Sequence, residues 1–169
     1  MSLHHASRKL RIACLIASFV ATVTMPARGA APPASGDYGT DLATVYAGYQ
    51  EIVALKEACD EAMPGTRKEN ERAFLEWQAR HKDLLAELKD RVTAMVRSAS
   101  RNEREYARNL GRYEGAILRS REEQKSSFLA LGGVKLRAQC EHVAEVLRGP
   151  KADLNVIFAS ELKTIRKHK

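Results

Sequence analysis

The sequence predicts an all-α fold: an antiparallel bundle of four to five helices held by one disulfide. Three observations carry this. From Asp41 onward apolar residues recur at three- and four-residue steps, the period of a helix with one buried face. No segment shows the period-two alternation of a half-buried strand. Only two cysteines, Cys59 and Cys140, lie beyond the N-terminal leader.

That leader has the form of a secretory signal peptide over residues 1–29. Arg8, Lys9 and Arg11 precede an apolar run from Ile12 to Val23, too short to span a bilayer, and Ala27 and Gly29 supply the small side chains read before a cut ahead of Ala30. Lipidation at Cys14 is disfavoured because Arg11 stands where an apolar residue is required. An uncleaved anchor is disfavoured by length. The expected location is the periplasm of a Gram-negative cell, with secretion as the alternative, and no transmembrane span after cleavage.

Cleavage leaves 140 residues, Ala30 to Lys169, the size of one domain. Arg8, Lys9, Arg11 and Arg28 leave with the leader, so the 28 bases of the chain fall to 24 against 21 acids, a net +3. So small an excess, in that compartment, argues against nucleic acid as a partner. Two thiols under oxidising conditions predict the Cys59–Cys140 disulfide. With no Cys-x-x-Cys and no Cys-x-x-Cys-His, thioredoxin-like, zinc-ribbon and c-type haem readings fail.

Residues 30–40, rich in Pro, Ala, Ser and Gly, read as a flexible linker, and residues 41–169 as the bundle. Leu42, Val45, Tyr46, Tyr49, Ile52, Val53 and Cys59 define a first helix over 41–62, ended by Met63-Pro64-Gly65. Thr66 and Glu69 have the spacing of a capping box, so a second helix starts near Arg67. Its stripe, Phe74, Trp77, His81, Leu84, Leu85, Leu88, Val92, Met95 and Val96, runs for about thirty residues and approximates a coiled-coil seam. Ser100 and Glu103 offer another capping box, so residues 98–102 read as a break, with a kink as the alternative. A third helix runs to Leu131 through Tyr106, Leu110, Tyr113, Ile117, Leu118, Phe128 and Leu129, and Gly132-Gly133 stops it. A fourth covers 134–148 and ends at Gly149-Pro150. The last covers 151–168, with Lys163, Arg166, Lys167 and Lys169 near the negative end of its dipole.

The set Cys59, Pro64, Phe74, Trp77 and Arg80 resembles a pattern found in small uncharacterised exported helical proteins of proteobacteria, where a cysteine and a proline precede an aromatic-rich helix. The resemblance covers about thirty residues. It implies an exported helical protein and assigns no catalytic residue.

No constellation for catalysis emerges, and neither a cofactor nor a metal is predicted. Carboxylate-bridged di-iron bundles need Glu-x-x-His on inward faces; here only His142 and Glu145 stand three apart, in reversed order. His81 reads as a seam residue, since no Gly-x-Ser-x-Gly or similar nucleophile motif accompanies it. Asp83 and Glu87 read as ion-pair acids rather than a glycosidase dyad. Tyr46, Tyr49, Tyr106 and Tyr113 read as core.

The distinctive surface feature is arginine. From Arg91 to Arg121 there are eight arginines, no lysine and three acids, whereas residues 37–90 hold seven bases against twelve acids. Arg97, Arg101, Arg104, Arg108, Arg112 and Arg119 fall within about 80° of one another on an ideal helix, opposite Tyr106, Leu110, Tyr113 and Ile117. They are the candidate site for an anionic partner, since guanidinium binds phosphate and carboxylate in a forked geometry. The competing reading is a solvated face paired with acids of the first two helices. The functional expectation is a non-enzymatic binding protein, an adaptor for another envelope protein or a chaperone-like clamp. The runner-up is a module for anionic lipid head groups, lipopolysaccharide or peptidoglycan, and a cell-wall hydrolase comes third. The sequence does not give the oligomeric state.

Overall fold

The computed structural model describes residues 34–168. The expected signal peptide, Cys14 and the first residues of the linker lie outside them, as does Lys169. The described chain forms eight α-helices and two short 3-10 turns, with no strand among the described residues. No described helix is long and apolar enough to cross a membrane.

The first helix, α1 (Tyr38–Ala62), is the hub, touching α2 (Arg67–Arg80), α3 (Lys82–Ser98), α4 (Glu103–Leu129), α5 (Gly133–Cys140), α7 (Leu154–Ile157) and α8 (Ala159–Lys167). It opens three residues before the expected boundary because Asp37 caps it: the Asp37 carboxylate accepts the Thr40 N–H at 2.8 Å. Residues 38–40 are therefore helix rather than linker. The buried Asp41 then ties back the preceding chain, accepting the Ser35 N–H and hydroxyl, both at 2.8 Å.

The long second helix of the sequence reading divides at His81 into α2 and α3. Backbone bonding continues through the joint, from His81 N–H to Trp77 C=O at 3.1 Å and from Leu85 N–H to His81 C=O at 2.8 Å. The 2% exposed His81 ring at this joint is held both from within α2 and from the chain entering α7. Its Nδ1 lies 2.8 Å from the Trp77 carbonyl oxygen, while Nε2 accepts the Leu154 N–H at 3.2 Å and lies 3.2 Å from Asp153 Oδ1. A ring protonated on Nδ1 satisfies the Trp77 and Leu154 bonds together.

Two expected capping boxes are corrected. α2 does start at Arg67, but Thr66 makes no side-chain cap; its hydroxyl donates to the Met63 carbonyl and accepts from Asn70. The break at 99–102 forms, yet its cap is Asn102, whose oxygen accepts Glu105 N–H at 2.9 Å while the Glu105 carboxylate accepts Arg101 N–H at 2.9 Å. The fourth predicted helix splits into α5 and α6 (Val143–Arg148) at Glu141–His142, and the last into a 3-10 turn at Pro150–Ala152, α7 and α8. Gly149-Pro150 does terminate α6, the Gly149 N–H bonding Glu145 C=O at 3.0 Å.

The core lies where these pieces meet α1. Leu42, Val45, Ile52 and Val53 of α1 pack with Phe74 and Trp77, with the α3 stripe Leu84, Leu88, Val92 and Val96, and with Leu154, Leu162 and Ile165. Trp77 is fully buried, and its ring stacks between Tyr49 and Phe74 with centroids 6.1 and 5.8 Å away. Cys59 and Cys140 form the expected disulfide, with Cα atoms 5.2 Å apart.

Candidate functional site

α4 is the longest helix, and it behaves unlike the others: none of its residues is buried. It rests on α1, with a shorter contact to α3. Tyr106, Leu110, Tyr113, Phe128 and Leu129 are half-buried against the core, so the tyrosines are core-facing as the sequence indicated. Salt links fix the C-terminal half to α1, Lys125 to Glu61 at 2.8 Å and Arg121 to Glu57 at 3.7 Å.

The six candidate arginines do not share one helix. Arg97 ends α3, Arg101 sits in the turn, and only Arg104, Arg108, Arg112 and Arg119 lie on α4, because Asn102 starts a new helix between them. Arg97 is occupied: it pairs with Glu103 and lies 3.7 Å above the centre of the Tyr106 ring. Arg108 makes a loose, exposed pair with Glu105 at 3.9 Å. The guanidinium groups of Arg101, Arg104, Arg112 and Arg119 have no carboxylate partner among the described residues. Arg119 folds back toward the outward face, with one nitrogen 3.5 Å from where a Cβ on Gly115 would stand.

The acids expected to cover this row are engaged elsewhere. Asp60 and Glu71 pair with Lys56, Glu57 with Arg121, Glu61 with Lys125, and Glu69 and Glu76 with Arg148. Hydrogen bonds from Arg166, and then from Arg91, hold the Glu87 carboxyl below its ordinary value, which makes Glu87 an ion-pair acid as read from the sequence.

On its other open side α4 borders two adjoining hollows along the α1 seam. One, of about 210 Å³, is lined by Ala43, Tyr46, Ala47, Gln50, Tyr113, Ala116, Ile117 and Ser120. The second, of about 560 Å³, shares Ser120 and continues past Glu123, Gln124 and Ser127 to Phe128. Burial pushes the Tyr46 and Tyr113 hydroxyls above the ordinary phenol value. The side-chain oxygens of Gln50 and Gln124 are buried there without a hydrogen-bond partner. Nothing in the sequence marks this groove: on α1 it is lined by Tyr46 and Gln50 together with Ala43 and Ala47, and the alanines carry no chemical signature.

Elsewhere, the His142 Nδ1 lies 3.4 Å from Glu145 on an exposed face. Among the described residues no group of three or more His, Cys, Asp or Glu side chains is arranged to hold a metal ion. The chain matches no protein-family model, no curated protein sequence and no solved structure.

Proposed function

We propose that this protein is an exported, non-enzymatic helical binding protein that holds an anionic partner of the cell envelope against the outward face of α4. The observation that carries the reading is the distribution of counter-charges. Acids of α1 and α2 are matched to Lys56, Arg121, Lys125 and Arg148, while Arg101, Arg104, Arg112 and Arg119 stand without carboxylates. Like charges held along one helix repel, and an external anion relieves that repulsion. Guanidinium groups suit phosphate and carboxylate alike.

The test is photocrosslinking from Ala107 and Gly115 in cells, comparing the native chain with Arg104→Gln/Arg108→Gln/Arg119→Gln. Capture should be lost in the triple variant while thermal stability stays equal or rises slightly. Binding of the native protein should fall steeply between low and physiological salt. Unchanged capture by the triple variant rejects the reading.

A further inference from the structure

We infer that the α1–α4 groove receives a second copy of this chain, with α4 packed antiparallel on α4 across a two-fold axis. The inference rests on the groove side of α4 and shares only Arg112 with the arginine row of the proposed function. Asn109, Tyr113, Ala116, Ser120, Glu123 and Ser127 follow one another at steps of 4, 3, 4, 3 and 4, the seam of a helix that packs lengthwise on another. Tyr113, Ala116 and Ser120 line the first hollow, and Ser120, Glu123 and Ser127 the second. The open side of α4 is therefore this seam.

The seam is self-complementary in one direction only. An axis passing midway between Ala116 and Ser120 sets Ala116 against Ser120 of the second copy, Tyr113 against its Glu123, and Asn109 against its Ser127. Small residues meet at the crossing, where Ala43 and Ala47 of α1 also permit close approach, and Tyr46, Tyr113 and Ile117 supply apolar area. Charge selects the orientation. Arg112 directly precedes Tyr113, which lines the first hollow, and Glu123 lines the second, neither Arg112 nor Glu123 having an ion partner among the described residues. Antiparallel docking brings Arg112 beside Glu123 of the other copy, twice by symmetry, whereas parallel docking sets Arg112 on Arg112.

The floor of the groove adds a second observation. Gln50 is only 7% exposed, and its side-chain oxygen, like that of Gln124, lacks a donor. Buried acceptors without partners are uncommon in native proteins. The Ser120 hydroxyl of an incoming α4 carries a donor of the kind such acceptors need.

Sedimentation equilibrium of the purified protein tests this. The native chain should sediment as a dimer, and Ala116→Arg should make it a monomer with unchanged Trp77 emission. Arg112→Glu and Glu123→Arg should each weaken the dimer about tenfold or more, and the two together should restore most of that loss. A native chain that is monomeric throughout, or a dimer that survives Ala116→Arg, overturns the proposal. Charge swaps that fail to rescue one another overturn the antiparallel arrangement, and a monomer that instead takes an apolar peptide into the groove assigns it another occupant. Because Ala116→Arg leaves every arginine of the outward row in place, loss of the dimer in that variant with retained capture of an anionic partner separates failure here from failure of the proposed function.

Discussion

The indole N–H of Trp77 donates to the carbonyl oxygen of Ala152 at 2.6 Å, joining residues 75 positions apart. That one bond docks the turn after α6 onto the centre of the core, where the same tryptophan stacks on Phe74 and Tyr49 and meets the His81 ring at a tilt. Trp77 is the sole tryptophan, so its emission reports on this junction alone. It should be blue-shifted in the native protein and move red on unfolding. Trp77→Ala should cost about 3–5 kcal/mol in denaturant unfolding. Trp77→Phe keeps most of the stacking but orphans the Ala152 carbonyl, at about 1–3 kcal/mol. Solvent-like emission from the folded chain contradicts the packing.

Gly48 lies where α1 passes closest to Phe158. A Cβ added at Gly48 falls within the Phe158 ring, against carbons Cζ and Cε2. Gly48→Ala should therefore destabilise by about 1–3 kcal/mol despite the better helix propensity of alanine. The double change Gly48→Ala/Phe158→Leu should recover part of the loss. A neutral or stabilising Gly48→Ala, measured by urea unfolding, rejects the close approach.

The Cys59–Cys140 bond closes a loop spanning 81 positions. In the chain-entropy account such a loop contributes on the order of 4 kcal/mol. Cys59→Ser/Cys140→Ser should lower the melting temperature by several degrees or more, and native protein should show no titratable thiol from these two positions before reduction.

Acid sensitivity should appear at the α3–α8 junction. Arg166 and Arg91 hold the Glu87 carboxyl below 4.5. A depressed carboxyl stabilises the fold above its unfolded value and loses that contribution as pH falls through the folded one. Arg166→Gln should thus lower stability at neutral pH by under about 1 kcal/mol, since the pair is partly exposed. The difference from the native protein should shrink progressively below pH 4.5. A difference that is constant from pH 7 to pH 3 shows that Arg166 acts through packing.

Local chemistry made much of the bundle readable. Met63-Pro64 ends α1 and Gly149-Pro150 ends α6, while Gly132, at positive φ, stands before α5 and Gly133 already belongs to that helix, because proline and glycine act on the backbone wherever they stand. The disulfide followed from arithmetic on two cysteines. The joint at His81 was not readable, since one of the two groups that hold its ring, the Leu154 N–H, lies 73 positions away. The same limit applies to Gly48, whose reason is Phe158. At the candidate site the arginine periodicity was visible, but the periodicity carried across residues 99–102 and so merged two helices into one. Which arginines lack partners depends on where Arg121, Lys125 and Arg148 reach, and that is a tertiary fact.

The disulfide also divides the molecule topologically. Residues 60–139, with α2, α3 and α4, lie inside a covalent ring, while α6, α7 and α8 form a tail beyond it. In vectorial synthesis or export the ring stays open until Cys140 emerges, with 29 residues still to follow, so α1 through α4 must wait as reduced chain. A protease cut within the ring leaves one covalent molecule until reductant is added. A cut between 141 and 151 instead frees the tail, and with it Ala152 and Leu154, whose backbone groups latch Trp77 and His81.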